Sequence, residues 1–281
     1  MTVPAPVVWA FLGLLALHVL QGIVQLGRGL IGRLARPDAI GARTDAPISD
    51  VVDVAPAPRR RTWLDLVGGL AQIPLFYIGL YVAYLHGDIT RELISPLHIA
   101  VGVAAGHLLF TFALVLIHRA VRDAWRFFLD LPGLWNFALR SPIVLGRFIM
   151  VAVTEEIIWR AGLQTLLLGL AGVWFAGASV PGWAVALGVV AVTALLFTLT
   201  HRHMADNSLS VSLEFVLFAF LLGLIYHAAS SLILVVAIHA VRDIEVSYLE
   251  YAAKADELGD EDRAAEEIER ALLNRPYPEN P

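Results

Sequence analysis

Two adjacent carboxylates and a guanidinium, in Thr154-Glu155-Glu156-Ile157-Ile158-Trp159-Arg160, interrupt an apolar stretch that runs from about Pro142 to Leu170. Hydropathy makes that stretch a membrane helix. Each ionised side chain near the bilayer centre costs roughly 2.5–3.5 kcal/mol, so three would cost on the order of 8–10 kcal/mol. Such a cluster is tolerable only where it faces a protein-lined or watered interior. Glu156 and Arg160 are four residues apart, so they share a helix face, with the acid nearer the N-terminus as a helical ion pair prefers. Glu155 is turned about 100° away from Glu156. One carboxylate can therefore be neutralised by Arg160 while its neighbour stays available as a base. A helix-packing ion pair without catalytic work is the competing reading of the same residues.

Two further spacings could supply polar groups to such a base. Phe197-x-x-x-His201 puts an aromatic ring and an imidazole on one face at the end of a helix; taken alone, that histidine reads as an interfacial side chain. His239-x-x-x-Asp243 aligns an imidazole and a carboxylate on one face of an apolar helix. An intramembrane pair of that kind is a functional candidate, and a self-satisfied hydrogen-bonded pair is its bland counterpart. His203 reads as loop surface. His18, His86, His98, His107, His118 and His227 lack a comparable local partner and read as packing or interface.

The elements that must hold these residues are set by composition. Of the 281 residues, 58% are hydrophobic and only 16% charged, with a mean hydropathy of +0.71. Soluble domains sit near about 45–50% apolar and about 25% charged, so this is a polytopic membrane protein. About seven apolar runs reach the roughly 17–25 residues that a spanning helix needs. No period-2 alternation with turn signals occurs, which argues against a transmembrane barrel. The absence of cysteine excludes disulfides, thiol catalysis and cysteine-ligated zinc. The net charge of −5 carries little information, because charges are segregated by loop and tail.

The predicted fold is all-α, a transmembrane bundle of about seven spans with a short helical C-terminal tail. Residues 1–36 hold the first helix, about Val7 to Leu26, and a basic flank. It reads as a retained helix rather than a cleaved signal peptide, since no Lys or Arg precedes it and no Ala-x-Ala site follows. Residues 37–62, rich in Pro, Ala and Asp, read as a disordered cytoplasmic loop. Residues 63–142 hold helix two (about Leu64 to Leu85, with Pro74 a kink) and helix three (about Leu97 to Ile117). An interfacial stretch follows from His118 to Arg147, in which Arg119, Arg122, Arg126, Arg140 and Arg147 are interleaved with Trp125, Phe127, Phe128, Trp135 and Phe137. Placed between spans, that stretch suits lipid headgroups and not nucleic acid. Residues 143–246 hold the remaining four helices and every candidate site residue. Arg-rich loops after helices one and three set the orientation by the positive-inside rule. Counted forward, Glu155, His201, His239 and Asp243 then all fall toward the cytoplasmic side, and the C-terminus is cytoplasmic.

The ordered set Glu155-Glu156-x-x-x-Arg160, Phe197-x-x-x-His201 and His239-x-x-x-Asp243 on successive membrane helices resembles the CAAX-protease and bacteriocin-processing family of intramembrane endopeptidases, which includes the type II CAAX prenyl endopeptidases. Gly223-Leu224-Ile225-Tyr226 and Ser230-Ser231-Leu232 look like the family's helix-turn-helix before the last motif. The resemblance covers about residues 143–246. It implies proteolysis by a glutamate-activated water, with Glu155 as general base and His201 holding and polarising that water. It further implies oxyanion stabilisation by His239 and residue 243, with Glu156 and Arg160 setting the charge and shape of their helix. The family has Asn or Asp at position 243. Ionised Asp243 cannot donate to an oxyanion, so either it is protonated in its buried setting or, the preferred expectation, it orients and charges His239, which donates alone.

Other readings stay open. Glu155, His201, His239 and Asp243 would also make a plausible zinc set, although no His-Glu-x-x-His helix is present. A non-catalytic scaffold or immunity protein working through its tail, and a proton-coupled transporter, are the rivals from other classes. The tail, 247–281, is acidic and Ala-rich, with Gly259-Asp260, Ala264, Ala271-Leu272 and Pro276 spaced like a single tetratricopeptide repeat. One repeat cannot bury its own apolar face, so the tail is either a plain helical hairpin or a docking element for a protein partner. Expected partners are the lipid bilayer and a membrane-associated peptide or protein substrate. The expected location is a bacterial inner membrane.

Overall fold

The computed structural model describes residues 3–34, 63–86, 95–117, 121–201, 204 and 209–273. The loop expected over 37–62, the polar loop with Asp88, Arg91 and Glu92, and His118 and His203 lie outside them. Among the described residues every regular element is helical. The helices are α1 (Ala5–Leu34), α2 (Trp63–His86), α3 (Pro96–Leu116), α4 (Val121–Leu129), α5 (Leu131–Arg140) and α6 (Pro142–Glu156). A π-helical segment (Ile157–Gln164) leads into α7 (Thr165–Trp174), followed by α8 (Gly182–Leu199), α9 (Leu209–Ala229), α10 (Leu232–Leu258) and α11 (Glu261–Leu272).

All seven expected apolar runs are helical. Five helices are long and apolar enough to cross a membrane on their own, in α1, α2, α3, α8 and α9, and a sixth counts if α5 and Pro142–Trp174, bent by 97° at their junction, form one span. The seventh run lies within α10, where the apolar stretch passes directly into Arg242, Asp243 and Glu245. The chain is an integral membrane protein.

It forms two compact units. The first draws on Met1–Ala42, Arg61–Gly102 and Val153–Val236. Its core gathers Phe11, Leu15, Leu75, Val82, Ile158, Trp159, Leu163, Phe197 and Phe215. Close helix approach depends on glycine, as hydrocarbon-embedded packing requires. A Cβ on Gly79 of α2 would lie 2.6 Å from the Ile157 carbonyl oxygen, and one on Gly162 would lie 2.7 Å from the Phe11 ring. α2 thus approaches the π-helical segment backbone to backbone, and α1 seats the Phe11 ring on Gly162.

The second unit draws on Val103–Ala152 and Ala237–Pro281. Its core joins Phe110, Leu114, Phe127, Phe137 and Val144 to Tyr248, Tyr251, Ala264 and Ala265 of the tail. Gly259 takes a left-handed φ of 64° and closes α10, and the Asp260 carboxylate then caps α11 by accepting from the Asp262 and Arg263 amides. The tail is therefore a helical hairpin, and its apolar face is covered from within the chain. Phe137 lies 4.9 Å from Tyr251 and 5.9 Å from Tyr248 between ring centroids. Arg140 pairs with Glu261 at 3.2 Å and with Asp262, and Arg147 donates to the Leu272 carbonyl at the end of α11. The Tyr248 hydroxyl donates to Asp130; burial, together with that carboxylate, pushes its ionisation well above the ordinary phenol range.

Candidate active site

Glu155 and Glu156 end α6, where the backbone widens into eight residues of π-helix. Such segments are rare and recur at functional sites. This one was not foreseen from hydropathy, which treats Pro142 to Leu170 as a regular helix. Arg160 and Gln164, four apart within it, both reach across to α9. Arg160 donates to the Ala219 carbonyl at 2.9 Å and Gln164 to the Gly223 carbonyl at 2.9 Å. Gly223 leaves the space this needs, since a Cβ there would lie 3.0 Å from Gln164 Oε1.

The two neighbouring glutamates have different surroundings. Glu156 Oε2 sits 3.2 Å from Arg160 Nε with both side chains wholly buried, and the guanidinium lies 5.5 Å above the Phe197 ring. Glu155 is 21% exposed, and its Oε1 lies 3.5 Å from Nε2 of His201, itself 18% exposed. The structure thus brings together Glu155 and His201, which lie far apart in sequence.

His201 follows the last turn of α8, where the Phe197 carbonyl accepts from the Thr200 amide and hydroxyl. Its Nδ1 lies 2.8 Å from the Phe197 carbonyl oxygen. A carbonyl only accepts, so Nδ1 carries the hydrogen and Nε2 is the atom turned to Glu155. The Phe197 and Phe215 rings, 4.4 and 4.8 Å away between centroids, hold the imidazole in a narrow slot. Orientation, tautomer and depth are thereby set before any ligand arrives. With the second hydrogen absent from Nε2, the carboxylate and that nitrogen present two acceptors side by side. Such an arrangement can take a water that donates one hydrogen to each acceptor and keeps its oxygen lone pairs free to attack a carbonyl carbon.

In the second unit His239 is buried, and its Nε2 lies 3.4 Å from Asp243 Oδ2. The four-residue spacing does join these two. Asp243 also accepts from Arg242 at 3.0 Å, a neighbour that the motif alone does not bring out. His107, which reads as packing or interface for want of a local partner, has a distant one. Its Nδ1 lies 2.6 Å from fully buried Glu245 and its Nε2 donates to the Phe128 carbonyl. His98 lies 3.2 Å from the Ser231 hydroxyl. These pairings are non-local, so no spacing rule shows them; intramembrane Glu245 alone could have been flagged as an ionisable group needing a partner.

Zinc sites use three or four such donors. Among the described residues no group of three or more His, Asp or Glu side chains is gathered as one ion would require. Glu155 and His201 offer two donors between them.

Taken together, the features define an all-helical integral membrane protein with a partly exposed carboxylate–imidazole pair set among apolar helices. Residues 137–244 match the family described as Rce1-like, type II CAAX prenyl endopeptidase Rce1-like. That segment, shorter than half the chain, carries the resemblance to the CAAX-protease and bacteriocin-processing family and supports a membrane endopeptidase. No curated protein and no solved structure matches the chain.

Proposed function

We propose that this protein is an intramembrane endopeptidase that hydrolyses a peptide bond near the cytoplasmic membrane face with a water activated by Glu155. The reading rests on one observation above all, the 3.5 Å approach of Glu155 to His201, whose other ring nitrogen is committed to Phe197. Glu155 takes a proton from the water as its oxygen bonds to the scissile carbonyl carbon. The same proton passes to the leaving amine nitrogen as the carbon–nitrogen bond breaks, which returns Glu155 to the carboxylate. His201 holds the water's second hydrogen and fixes its direction of attack.

The oxyanion of the tetrahedral intermediate needs donors placed in advance, each contributing roughly 3–4 kcal/mol. That task is assigned to His239 on the family resemblance, with Asp243 orienting and charging it. Glu156 and Arg160, mutually neutralised, serve as the rigid floor from which Glu155 projects. The family description and the partly exposed pair support this reading over a scaffold acting through its tail, whose apolar face is taken up by α4 and α5. We place the C-terminus in the cytoplasm on the strength of the Arg distribution, and the protein in a bacterial inner membrane on its Ala- and Arg-rich composition and short loops.

Comparison of membrane peptidomes between wild type and Glu155→Ala tests the proposal and exposes the substrate. Specific peptides should disappear while the variant accumulates normally in the membrane; identical peptidomes would sink it. Cleavage that persists in a strong chelator, without bound zinc by elemental analysis, is expected for a water activated by carboxylate and imidazole alone.

A further inference from the structure

Glu245 is wholly buried in α10, two residues past Asp243, and takes no part in the proposed hydrolysis. A lone carboxylate in an apolar interior is costly and needs a partner. Its Oε1 lies 2.6 Å from His107 Nδ1 on α3, while Oε2 has no hydrogen-bond partner among the described residues. The other side of His107 is fixed by α4. Its Nε2 donates to the Phe128 carbonyl at 3.3 Å, and its ring stacks on the Phe128 ring at 5.2 Å between centroids. Because that carbonyl uses the one hydrogen of a neutral ring, the short contact at Nδ1 needs a further proton, shared with the carboxylate. The pair is then neutral as a unit, and it forms a directional link from α4 through α3 to α10.

A second contact precedes the first along α10. Gly106, the chain neighbour of His107, is seated so closely that a Cβ would lie 3.0 Å from the Ile238 carbonyl oxygen and 3.0 Å from Val241 Cβ. That carbonyl belongs to the peptide bond leading into His239, and Val241 stands between His239 and Asp243. Ile238, Val241 and Glu245, spaced three and four apart, make one face of α10. His239 and Asp243 are turned about 100° and about 140° from Ile238, away from that face. α3 therefore grips α10 from behind the pair, by close packing at one end and by a hydrogen bond at the other. Apolar packing is non-directional, whereas a hydrogen bond weakens steeply with angle and length. A turn of α10 that moved His239 would stretch the 2.6 Å contact and strand the carboxylate.

We propose that His107 and Glu245 are positioning residues for the His239–Asp243 pair, a polar brace from α3 that, with Gly106, sets the rotation and height of α10. The proposal rests on the hydrolase reading above, in which His239 serves the oxyanion. All three bracing residues lie outside the segment 137–244 matched to the family.

Two readouts test it. One is release of the peptides that depend on Glu155. The other needs no substrate: the His239 ring resonance of isotope-labelled full-length protein in lipid nanodiscs, assigned by His239→Gln. His107→Phe combined with Glu245→Leu replaces the polar pair by apolar groups and strands no charge, so this double variant should accumulate and melt like wild type. Cleavage should nevertheless fall by about tenfold or more, and the His239 resonance should shift or broaden. Glu245→Gln keeps the link, since its amide donates to Nδ1, and should keep both cleavage and the resonance as in wild type.

If the double variant does not accumulate, Gly106→Ala stands in, because its methyl presses on the Ile238 carbonyl and should lower cleavage and move the same resonance. Wild-type cleavage or an unmoved His239 resonance in the variant that accumulates would overturn the positioning role and leave the pair a packing contact. So would a glutamine variant as impaired as the apolar double. Should Glu155→Gln leave those peptides unchanged, the hydrolase reading fails by itself, while the His239 resonance still judges the brace.

Discussion

Glu156 Oε2 and Arg160 Nε lie 3.2 Å apart with neither side chain exposed, whereas the adjacent Glu155 is 21% exposed beside His201. One glutamate is thus tied into a buried ion pair, while its neighbour, the proposed base, stays partly exposed.

The two should separate cleanly on mutation. Glu155→Gln is expected to abolish cleavage while leaving accumulation and thermal unfolding close to wild type. Glu156→Gln strands the Arg160 charge in the interior, and breaking a buried pair costs about 3–5 kcal/mol. It should lower the unfolding temperature in detergent and deplete the protein from membranes. Equal stability for both variants would contradict the assignment.

Gly223→Ala probes the link between the π-helical segment and α9. The new methyl would sit 2.7 Å from Val190 Cγ1 and 3.0 Å from Gln164 Oε1. Overpacking of this kind costs about 1–3 kcal/mol. Because the crowding falls on the Gln164 hydrogen bond, cleavage should drop along with stability. Circular dichroism melts and peptide release measured on the same samples check both.

Asp243→Asn tests charge against hydrogen bonding beside His239. Asn preserves shape and can donate to an oxyanion, but it no longer holds charge next to the imidazole or Arg242. A large loss of cleavage with normal accumulation is expected; full activity would remove the charge role.

The tail hairpin should be held mainly by its rings. Exposed ion pairs contribute about 0–1 kcal/mol each, so Arg140→Ala should leave α11 protected from amide exchange. Phe137→Ala removes the ring packed against both Tyr248 and Tyr251, at a cost of about 3–5 kcal/mol, and should release the hairpin to proteolysis.

Tyr248 gives that contact a pH dependence. Its ionisation is raised on folding, by burial first and then by Asp130. The associated stability is fully present below the ordinary phenol value of about 10 and is lost as pH rises beyond it. Protection of α11 should therefore be flat across neutral pH and fall in strong alkali, and Tyr248→Phe should remove that fall. An equal alkaline loss in the phenylalanine variant would assign it to other groups.

Composition and apolar run lengths by themselves determined an all-helical membrane protein, because a backbone in hydrocarbon must satisfy its own hydrogen bonds. Helical periodicity likewise determined the pairs four residues apart, Glu156 with Arg160 and His239 with Asp243, since both partners ride on one helix. The motif resemblance put Glu155 and His201 in one reaction, but only the tertiary structure decided their 3.5 Å approach and the hydrogen bond to Phe197 that turns Nε2 toward the acid. It alone decided the π-helical widening after Glu156 and the pairing of His107 with Glu245 across 138 positions. Those contacts join separate helices, and their geometry follows from glycine-limited packing and from where backbone carbonyls come to lie, neither of which leaves a period in the chain.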